Sequence, residues 1–393
     1  MPDPEPMSLA EMRLSIASIA EAFAAVRDPR RDHLKRFPLP DILVLAVAGM
    51  LAGCEDWVDM EDFGEQRAEW FKAQGLFAQG TPSHDTLGRV FRALDAVVVR
   101  TCFAQWVQQA MGTVRGVVAI DGKTARGTAD GDTRGAIHTV SAYASETGLT
   151  LAHVAVAEKS NEITAIPALL EMLALKGCTV TIDAMGCQKD IATCIRARGG
   201  DYLLQVKANQ PATLNDLSSF FADADARDWK GTLHTTCRTD HHGHGRDETR
   251  IAHACRVRGP WLDAHGWTDL HQIVRIRRTR STGTATATST EDNYYITSER
   301  CDAERLLSMA RQHWGIENRT HWILDVAFNE DRSRTRKDNA AHNLVTIRRF
   351  VLNLLRRNPE TKHRSIKRRR RRASYSMEGL CQLMKFAAVS PGE

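Results

Sequence analysis

Residues 117–121 read VVAID and residues 179–183 read TVTID: two short β-branched runs, each ending on an aspartate and followed within three residues by a glycine, Gly122 and Gly186. Short apolar runs bounded by turn residues predict buried strands. Between them, His138–Ser145 and Leu149–Ala157 predict two strands joined by Glu146-Thr147-Gly148, a hairpin-type connection. Ile163–Leu175 has helical spacing. Lys189–Arg198 predicts another helix and Tyr202–Val206 another apolar strand. The order is therefore β-β-β-α-β-α-β, three meandering strands followed by crossover units. Parallel strands need such crossovers, and all-apolar strands need cover on both faces.

That order is the ribonuclease-H-like arrangement, an α/β core expected at residues 113–228 and completed by residues 303–358. Residues 1–112 read as an all-helical N-terminal domain. Ser8–Val26 has apolar positions at helical spacing, and Asp28-Pro29 breaks it. A second helix starts near Asp41, after Pro38 and Pro40. Ser83–Leu94 and Cys102–Met111 follow. Residues 229–302, rich in Thr, His and Arg, predict a β-rich insertion before the last catalytic helix, with alternation at His271–Arg277 and Tyr294–Thr297. Asn339–Leu355 carries an apolar stripe. Residues 359–393 read as a basic C-terminal tail, whose six consecutive cations Lys367–Arg372 repel one another and are expected to be mobile.

Composition narrows the function classes. The 393 residues are 42% hydrophobic and 26% charged, as in ordinary folded proteins rather than disordered ones. The longest apolar run, Ile42–Leu51, is about half of the ~20 residues that span a bilayer, so no membrane role is expected. No secretory signal is read at the start. The nine cysteines include no CxxC pair and fit reduced thiols in the cytoplasm. Residues 1–112 hold 11 basic and 16 acidic residues, whereas residues 305–372 hold 19 basic and 6 acidic. A charge that changes sign along the chain points to a polyanionic partner for the basic part.

Asp121 and Asp183 stand at the same structural place, the carboxyl edge of a mostly parallel sheet, where open α/β folds put their ligands. Carboxylates held there suit Mg²⁺, which takes oxygen ligands and keeps several waters. A third acid is sought on the stretch WGIENRTHWILDVAF (314–328), where Glu317, His321, Leu324 and Asp325 share one face at helical spacing. Glu317 is the first choice, with Asp325 and Glu330 as rivals.

The blocks VAIDGKTARGT, HTVSAYASETGLTLA, EKSNEITAIPALLEML, TIDAMGCQ, DYLLQVKANQ and HWGIENRTHWILDVAFNEDRSRTRKDNAAHNL resemble insertion-sequence transposases of the H-repeat-associated type, in the DDE superfamily. LPDILVLAVAGMLAGCEDWVDMEDFGEQR and GTPSHDTLGRVFRALD resemble that family's associated N-terminal domain. The resemblance spans roughly residues 28–357. It implies Asp121, Asp183 and Glu317 as catalytic and metal-holding acids, with two Mg²⁺ or Mn²⁺ ions and double-stranded DNA as partner. It also implies a homodimer on paired DNA ends and a cytoplasmic, nucleoid-associated place of work. Related transposases carry Tyr-x2-Arg-x3-Glu-x6-Lys around the glutamate. Here Ala310, His313 and Leu324 occupy those positions, leaving Arg311 and His321 as stand-ins.

Candidate DNA contacts are Lys207, Asn209 and Gln210 beyond the strand ending at Val206, and Arg311, Arg319, Arg332, Arg334, Arg336 and Lys337 around and after Glu317. Lys123 is either a further phosphate contact or a solvated turn lysine. The N-terminal domain is divided between end recognition, through Ser83, His84, Thr86 and Arg89, and dimer contacts. Core packing is the favoured reading for Trp314 and Trp322, ahead of base stacking. The spacing of Cys237, His241, His242, His244, His253 and Cys255 matches no zinc pattern. Two rival functions stay open: a DNA-binding remnant or repressor that no longer cuts, and a nuclease that hydrolyses without joining.

Overall fold

The chain is described by a computed structural model over residues 7–130, 135–156, 162–243, 246–257, 265–282, 288–358 and 363–385. The first expected strand becomes β1 (Gly116–Ala125), and its hairpin partners are β2 (Ile137–Ala144) and β3 (Leu149–Val156). α7 (Glu162–Glu171), β4 (Cys178–Ile182), α8 (Lys189–Ala197) and β5 (Asp201–Val206) follow in the order read from the sequence. β1, β4 and β5 run parallel, while β2 and β3 are antiparallel neighbours on the far side of β1. Val117–Ile120 is fully buried, as strands covered on both faces must be. The helix α9 (Pro211–Ala226), opened by a proline in its first turn, was not among the expected elements.

The β-rich segment extends the same sheet. β6 (His234–Gly243), β7 (Arg246–Arg256), β8 (Gln272–Thr282) and β9 (Thr288–Thr297) form an antiparallel meander, and β9 pairs with β5 from Leu203↔Thr297 to Val206↔Tyr294. The result is one nine-stranded sheet, in the order β3-β2-β1-β4-β5-β9-β8-β7-β6. Joining the sheet pairs β5 on its second side, which removes an open edge.

α10 (Ala303–His313) crosses this sheet. Its Leu306, Leu307, Met309 and Ala310 pack in one apolar cluster with Val117 of β1, Leu203 of β5, and Ala252, Val274 and Ile276 of the extension. α11 (Trp322–Phe328) and the long α12 (Ala340–Arg357) follow α10. The N-terminal residues are helical throughout: α1 (Leu9–Ala22), α2 (Leu39–Ala52), α3 (Trp57–Gln66), α4 (Ala68–Ala73), α5 (His84–Ala93) and α6 (Ala96–Met111). Their core is continuous with that of the sheet. Ile19, Phe23, Phe103 and Trp106 belong to the same buried cluster as Phe350, Val118 and Val180.

The expected mobile tail is replaced by two packed helices, α13 (Ile366–Tyr375) and α14 (Met377–Met384). α14 reaches the start of the chain, where Glu378 accepts a hydrogen bond from the Met7 amide at 2.6 Å. The cations of α13 divide by helical face. Arg369 and Arg370 are each only 5% exposed. Arg370 donates to the carbonyls of Met50 (3.0 Å), Cys54 (3.2 Å) and Ala327, and lies 4.4 Å over the Phe328 ring. Arg369 donates to the carbonyls of Arg364 (2.9 Å) and Leu355 (2.5 Å). Met50, Ala327 and Leu355 lie in the last turns of α2, α11 and α12, where carbonyls lack partners within the helix and favour a cation. Two cations are thus held by helix ends, a long-range fact that a run of like charges does not display. Arg370→Ala should cost about 3 kcal/mol, because it strands buried carbonyls of three segments. Arg371→Ala should cost under about 0.5 kcal/mol, because that side chain is exposed. Urea denaturation of the two variants checks the contrast.

A candidate active site of three carboxylates

Ile120 of β1 pairs with Ile182 of β4, so Asp121 and Asp183 are the next residues on neighbouring parallel strands. β4 stops there, whereas β1 runs on to Ala125 paired with β2 alone. Asp121 is therefore mid-strand rather than at a strand end. Asp183 caps the short turn Ala184–Gly186, its Oδ1 accepting from the Gly186 amide at 3.4 Å. A side chain at Gly186 would strike Ile182 (2.2 Å to Cγ2), so the glycine lets the turn close against the strand.

Glu317 opens a five-residue π-helical turn, Glu317–His321, between α10 and α11. Such turns interrupt helices at functional sites with disproportionate frequency. The extra residue breaks the simple face argument. His321 and Leu324 are buried, while Glu317 is exposed. It faces a cleft of about 260 Å³ whose walls include Asp121, Asp183, Lys207, His313 and Trp314. All three expected acids line this cleft. The rivals do not: Asp325 accepts from Lys123 Nζ at 2.6 Å, and Glu330 is fully buried with Arg349 Nη1 at 3.2 Å.

Burial, joined by the charges of Asp183, Glu162 and Glu317, pushes the Asp121 carboxyl up to about 7, against the opposing Gly122 amide. That amide donates to Asp121 Oδ1 at 2.8 Å. Behind it, His138 Nε2 and Glu162 Oε1 form a buried pair at 2.6 Å. A Cβ at residue 122 would lie 2.4 Å from Glu162 Oε1, so glycine is what allows the pair to pack there. His321 Nδ1 lies 3.4 Å from Asp121 Oδ2. Burial, reinforced by Arg349 and Lys123, pushes its imidazole down to about 3, and its buried Nε2 has no hydrogen-bond partner among the described residues. His313, at the position where the related signature has arginine, holds Thr181 Oγ1 at 3.1 Å through Nδ1.

The expected DNA-contacting residues separate into groups. Lys207 is exposed and lines the acidic cleft. Arg311 and Arg319 line an adjoining groove of about 470 Å³ that shares Trp314 with it. Arg332, Arg334, Arg336 and Lys337 line a third groove, about 610 Å³, whose opposite wall is α5 with Arg89 and Arg92. Four residues are engaged elsewhere. Arg336 Nε donates to the Gly127 carbonyl at 3.0 Å, with Nη1 3.5 Å from Asp130. Lys123 is buried, with Asp325 at 2.6 Å, Asp331 at 3.4 Å and Glu330 at 3.8 Å, so it is neither a solvated turn lysine nor open to phosphate. Asn209 donates to the Ala184 carbonyl (2.6 Å) and Gln210 to that of Cys187 (2.9 Å), bracing the turn after Asp183. Polar residues at a sheet edge do not reveal in sequence which backbone they will bind.

Trp314 and Trp322 are 54% and 60% exposed, not core residues. The buried Glu162–His138 pair was not singled out from the sequence. The only trace of it is Gly122, since glycine beside a strand aspartate signals close approach. The β6–β7 register disperses the Cys and His residues once weighed for zinc. His242 faces Asp247, His253 stacks on Trp229, and His244 lies outside the described residues. All nine cysteines are free thiols. Among the described residues no helix is long and apolar enough to cross a membrane, and no group of three or more His, Cys, Asp or Glu side chains stands ready to hold one ion.

Comparison with known proteins agrees with the family read from the motif blocks. The model described as "DDE_Tnp_1-associated" matches residues 20–107, and that of the "Transposase DDE domain" matches residues 86–354. "Putative transposase YncI" of Escherichia coli O157:H7 is 39% identical over 365 residues, 92% of this chain and 93% of that protein. "H repeat-associated putative transposase YhhI" of Escherichia coli K12 is 35% identical over 382 residues, 96% of this chain and all of that protein. A short relative, "Inactive transposase YbfQ" of the same strain, is 35% identical over 77 residues, 20% of this chain. The chain belongs to the DDE transposase family.

Proposed function

We propose that the protein cuts double-stranded DNA at the ends of an insertion sequence and joins the freed 3′-hydroxyl to target DNA, both steps in the cleft of Asp121, Asp183 and Glu317. The observation that carries this is the meeting of three acids, from β1, β4 and the π-turn, in one cleft rimmed by Lys207 and Trp314. The strand order β3-β2-β1-β4-β5 supports a ribonuclease-H-like core beneath them.

The donor set fits a hard divalent cation. It is all oxygen, and Asp121 is a carboxylate whose burial and acidic neighbours favour an added positive charge. Mg²⁺ or Mn²⁺ needs only one or two carboxylates each, with water completing the shell, and three carboxylates line this cleft. Such ions would supply activation of the attacking oxygen and stabilisation of the leaving one. Asp121, Asp183 and Glu317 would hold them, with the Gly122 amide on Asp121 Oδ1 and the His321 ring 3.4 Å from its Oδ2 orienting that carboxylate. In the first step water attacks the phosphorus at the element end. A P–O3′ bond breaks, giving a 3′-hydroxyl on the element and a 5′-phosphate on the flank. In the second, that hydroxyl attacks a target phosphorus, forming a P–O3′ bond and releasing a target 3′-hydroxyl. No covalent enzyme intermediate is needed.

Lys207, Arg311 and Arg319 would position the strand at the cleft, as phosphate contacts do. The groove shared by α5 and Arg332–Lys337 supports DNA contact by the N-terminal helices. Pairing two element ends favours a homodimer, and the substrate places the protein at the cytoplasmic nucleoid.

Incubating the protein with Mn²⁺ and a supercoiled plasmid carrying the element tests the reading. Cutting and joined product are expected. No cutting would leave a DNA-binding remnant, and cutting without joining would leave a nuclease. Asp183→Asn should abolish both steps, by at least about 10³-fold, while duplex binding measured by anisotropy stays within about threefold. Stability should respond to Asp121 with the opposite sign from a paired carboxylate. Its folded pKa is raised, so the unfolded chain ionises first and folding loses stability as pH climbs from about 4 to 8. Without divalent ions, Asp121→Asn should therefore gain little near pH 3.5 and about 2 kcal/mol at pH 8, less than the full shift implies because 28% of the side chain meets water. Thermal melts of both proteins across that range check it.

A further inference from the structure

The outward cations of α13 repeat at helical spacing. Lys367, Arg368, Arg371 and Arg372 stand at i, i+1, i+4 and i+5 on one face of the helix, and Arg364, just before the Ser365 cap, extends their line. Tyr375, 74% exposed, continues it. Together they line a shallow trough of about 790 Å³ on the outer face of the helix. Among the described residues no carboxylate forms an ion pair with any of the five, and the sequence has no Asp or Glu between Glu360 and Glu378. Like charges at i and i+4 destabilise a helix. This one is held despite that by the inward Arg369 and Arg370 and by the Ser365 cap on Arg368 N (3.4 Å). Solubility alone is served by interspersed signs rather than a single-sign stripe. From Lys367 to Arg372 the stripe rises about 8 Å, and over that length duplex DNA presents about four phosphate charges.

We propose that the outer face of α13 grips the phosphate backbone of double-stranded DNA outside the catalytic cleft, without reading sequence. The proposal rests on the transposase reading and adds a second DNA surface to it. Arg369 and Arg370 build the helix into the fold, and Arg364, Lys367, Arg368, Arg371 and Arg372 face the polyanion. Because Arg370 also holds the Ala327 carbonyl of α11, the surface is tied to the segment that carries Glu317.

The test is fluorescence anisotropy of the full chain in EDTA with a duplex of about 30 base pairs and arbitrary sequence, from about 50 to 300 mM NaCl, reading the slope of log K against log salt. Replacing Lys367, Arg368, Arg371 and Arg372 together by Gln should make the slope shallower by about 3.6 and weaken binding at least about tenfold at the low-salt end, equally on unrelated sequences. The pair Arg368→Gln and Arg371→Gln should make it shallower by about 2, and this milder variant serves if the fourfold one fails to fold by circular dichroism. An unchanged slope in a folded variant overturns the proposal. So does loss of binding to anionic phosphatidylserine vesicles with the DNA slope intact, which would assign the stripe to a lipid surface. Plasmid cutting by the unmodified protein with Mn²⁺ separates the two readings. If it cuts and the slopes match, only the α13 surface fails. If it neither cuts nor binds duplex, the transposase reading fails first.

Discussion

The Lys123 ammonium, two residues beyond Asp121 on β1, is buried against three carboxylates that all follow Glu317 in the chain: Asp325, Glu330 and Asp331. Glu330 also meets Arg349 of α12, whose Nη2 donates to Thr139 Oγ1 of β2 at 3.0 Å. Arg126 closes the rim, 3.6 Å from Asp331. Three cations thus stand against three anions, and the ring of contacts runs from β1 through the segment after α11 to α12 and back to β2. A buried charge that loses its partner costs several kcal/mol. The segment carrying the third acid therefore cannot drift from the strand carrying the first without exposing or stranding charge. Asp121 and Asp183 are neighbours by sheet register, but Glu317 arrives from far along the chain and needs this tie.

The same constraint explains why acids and bases are segregated around the cleft. The carboxylates that neutralise Lys123, Arg126 and Arg349 are not available as ligands, and among the described residues no Lys or Arg forms an ion pair with those facing the cleft. Asp121 consequently sits among Asp183, Glu162 and Glu317 with its carboxyl raised. An anionic DNA strand entering such a cleft meets like charge unless cations accompany it. The open arginines and lysines lie around it, on the adjoining groove, the groove against α5 and the outer face of α13. In the proposed reading, backbone contacts at those surfaces align a duplex and the acidic floor is left for the scissile phosphate.

The sequence displayed the central strands and the two aspartates because their signals are local: an apolar run, a terminal acid, a glycine in the turn. The third acid was legible only through the motif resemblance. The helical face read for it assumed a period that the π-turn interrupts, so Glu317 reaches the cleft by a route the spacing argument did not describe. Lys123 read as a phosphate contact or a solvated turn lysine because its acidic partners are more than two hundred residues away. The KRRRRR run looked mobile for a related reason. The carbonyls that receive Arg369 and Arg370 belong to helix ends that meet only in the folded chain. Trp314 and Trp322 read as core because tryptophan usually packs, and nothing local marks an aromatic left facing a cleft.

The β-rich extension has a structural role that its alternating sequence could not announce. α10 does not rest on β1, β4 and β5 alone. Ala252 and Ala254 of β7 and Val274 and Ile276 of β8 complete the apolar bed for Leu306, Leu307 and Ala310. The α10 amide at Ala303 is further fixed by Thr235 Oγ1 of β6 at 2.9 Å. At its other end, the Gln312 carbonyl accepts from Ser145 Oγ at 3.2 Å, beside His313 and four residues before the π-turn is under way. The meander therefore sets the height and direction from which Glu317 enters the cleft. Extending the sheet rather than forming a separate lobe gives that platform the rigidity of the central strands, since β9 is bonded directly to β5. Register in the extension is specified where it matters, because a one-residue slip would turn Val274 and Ile276 away from α10.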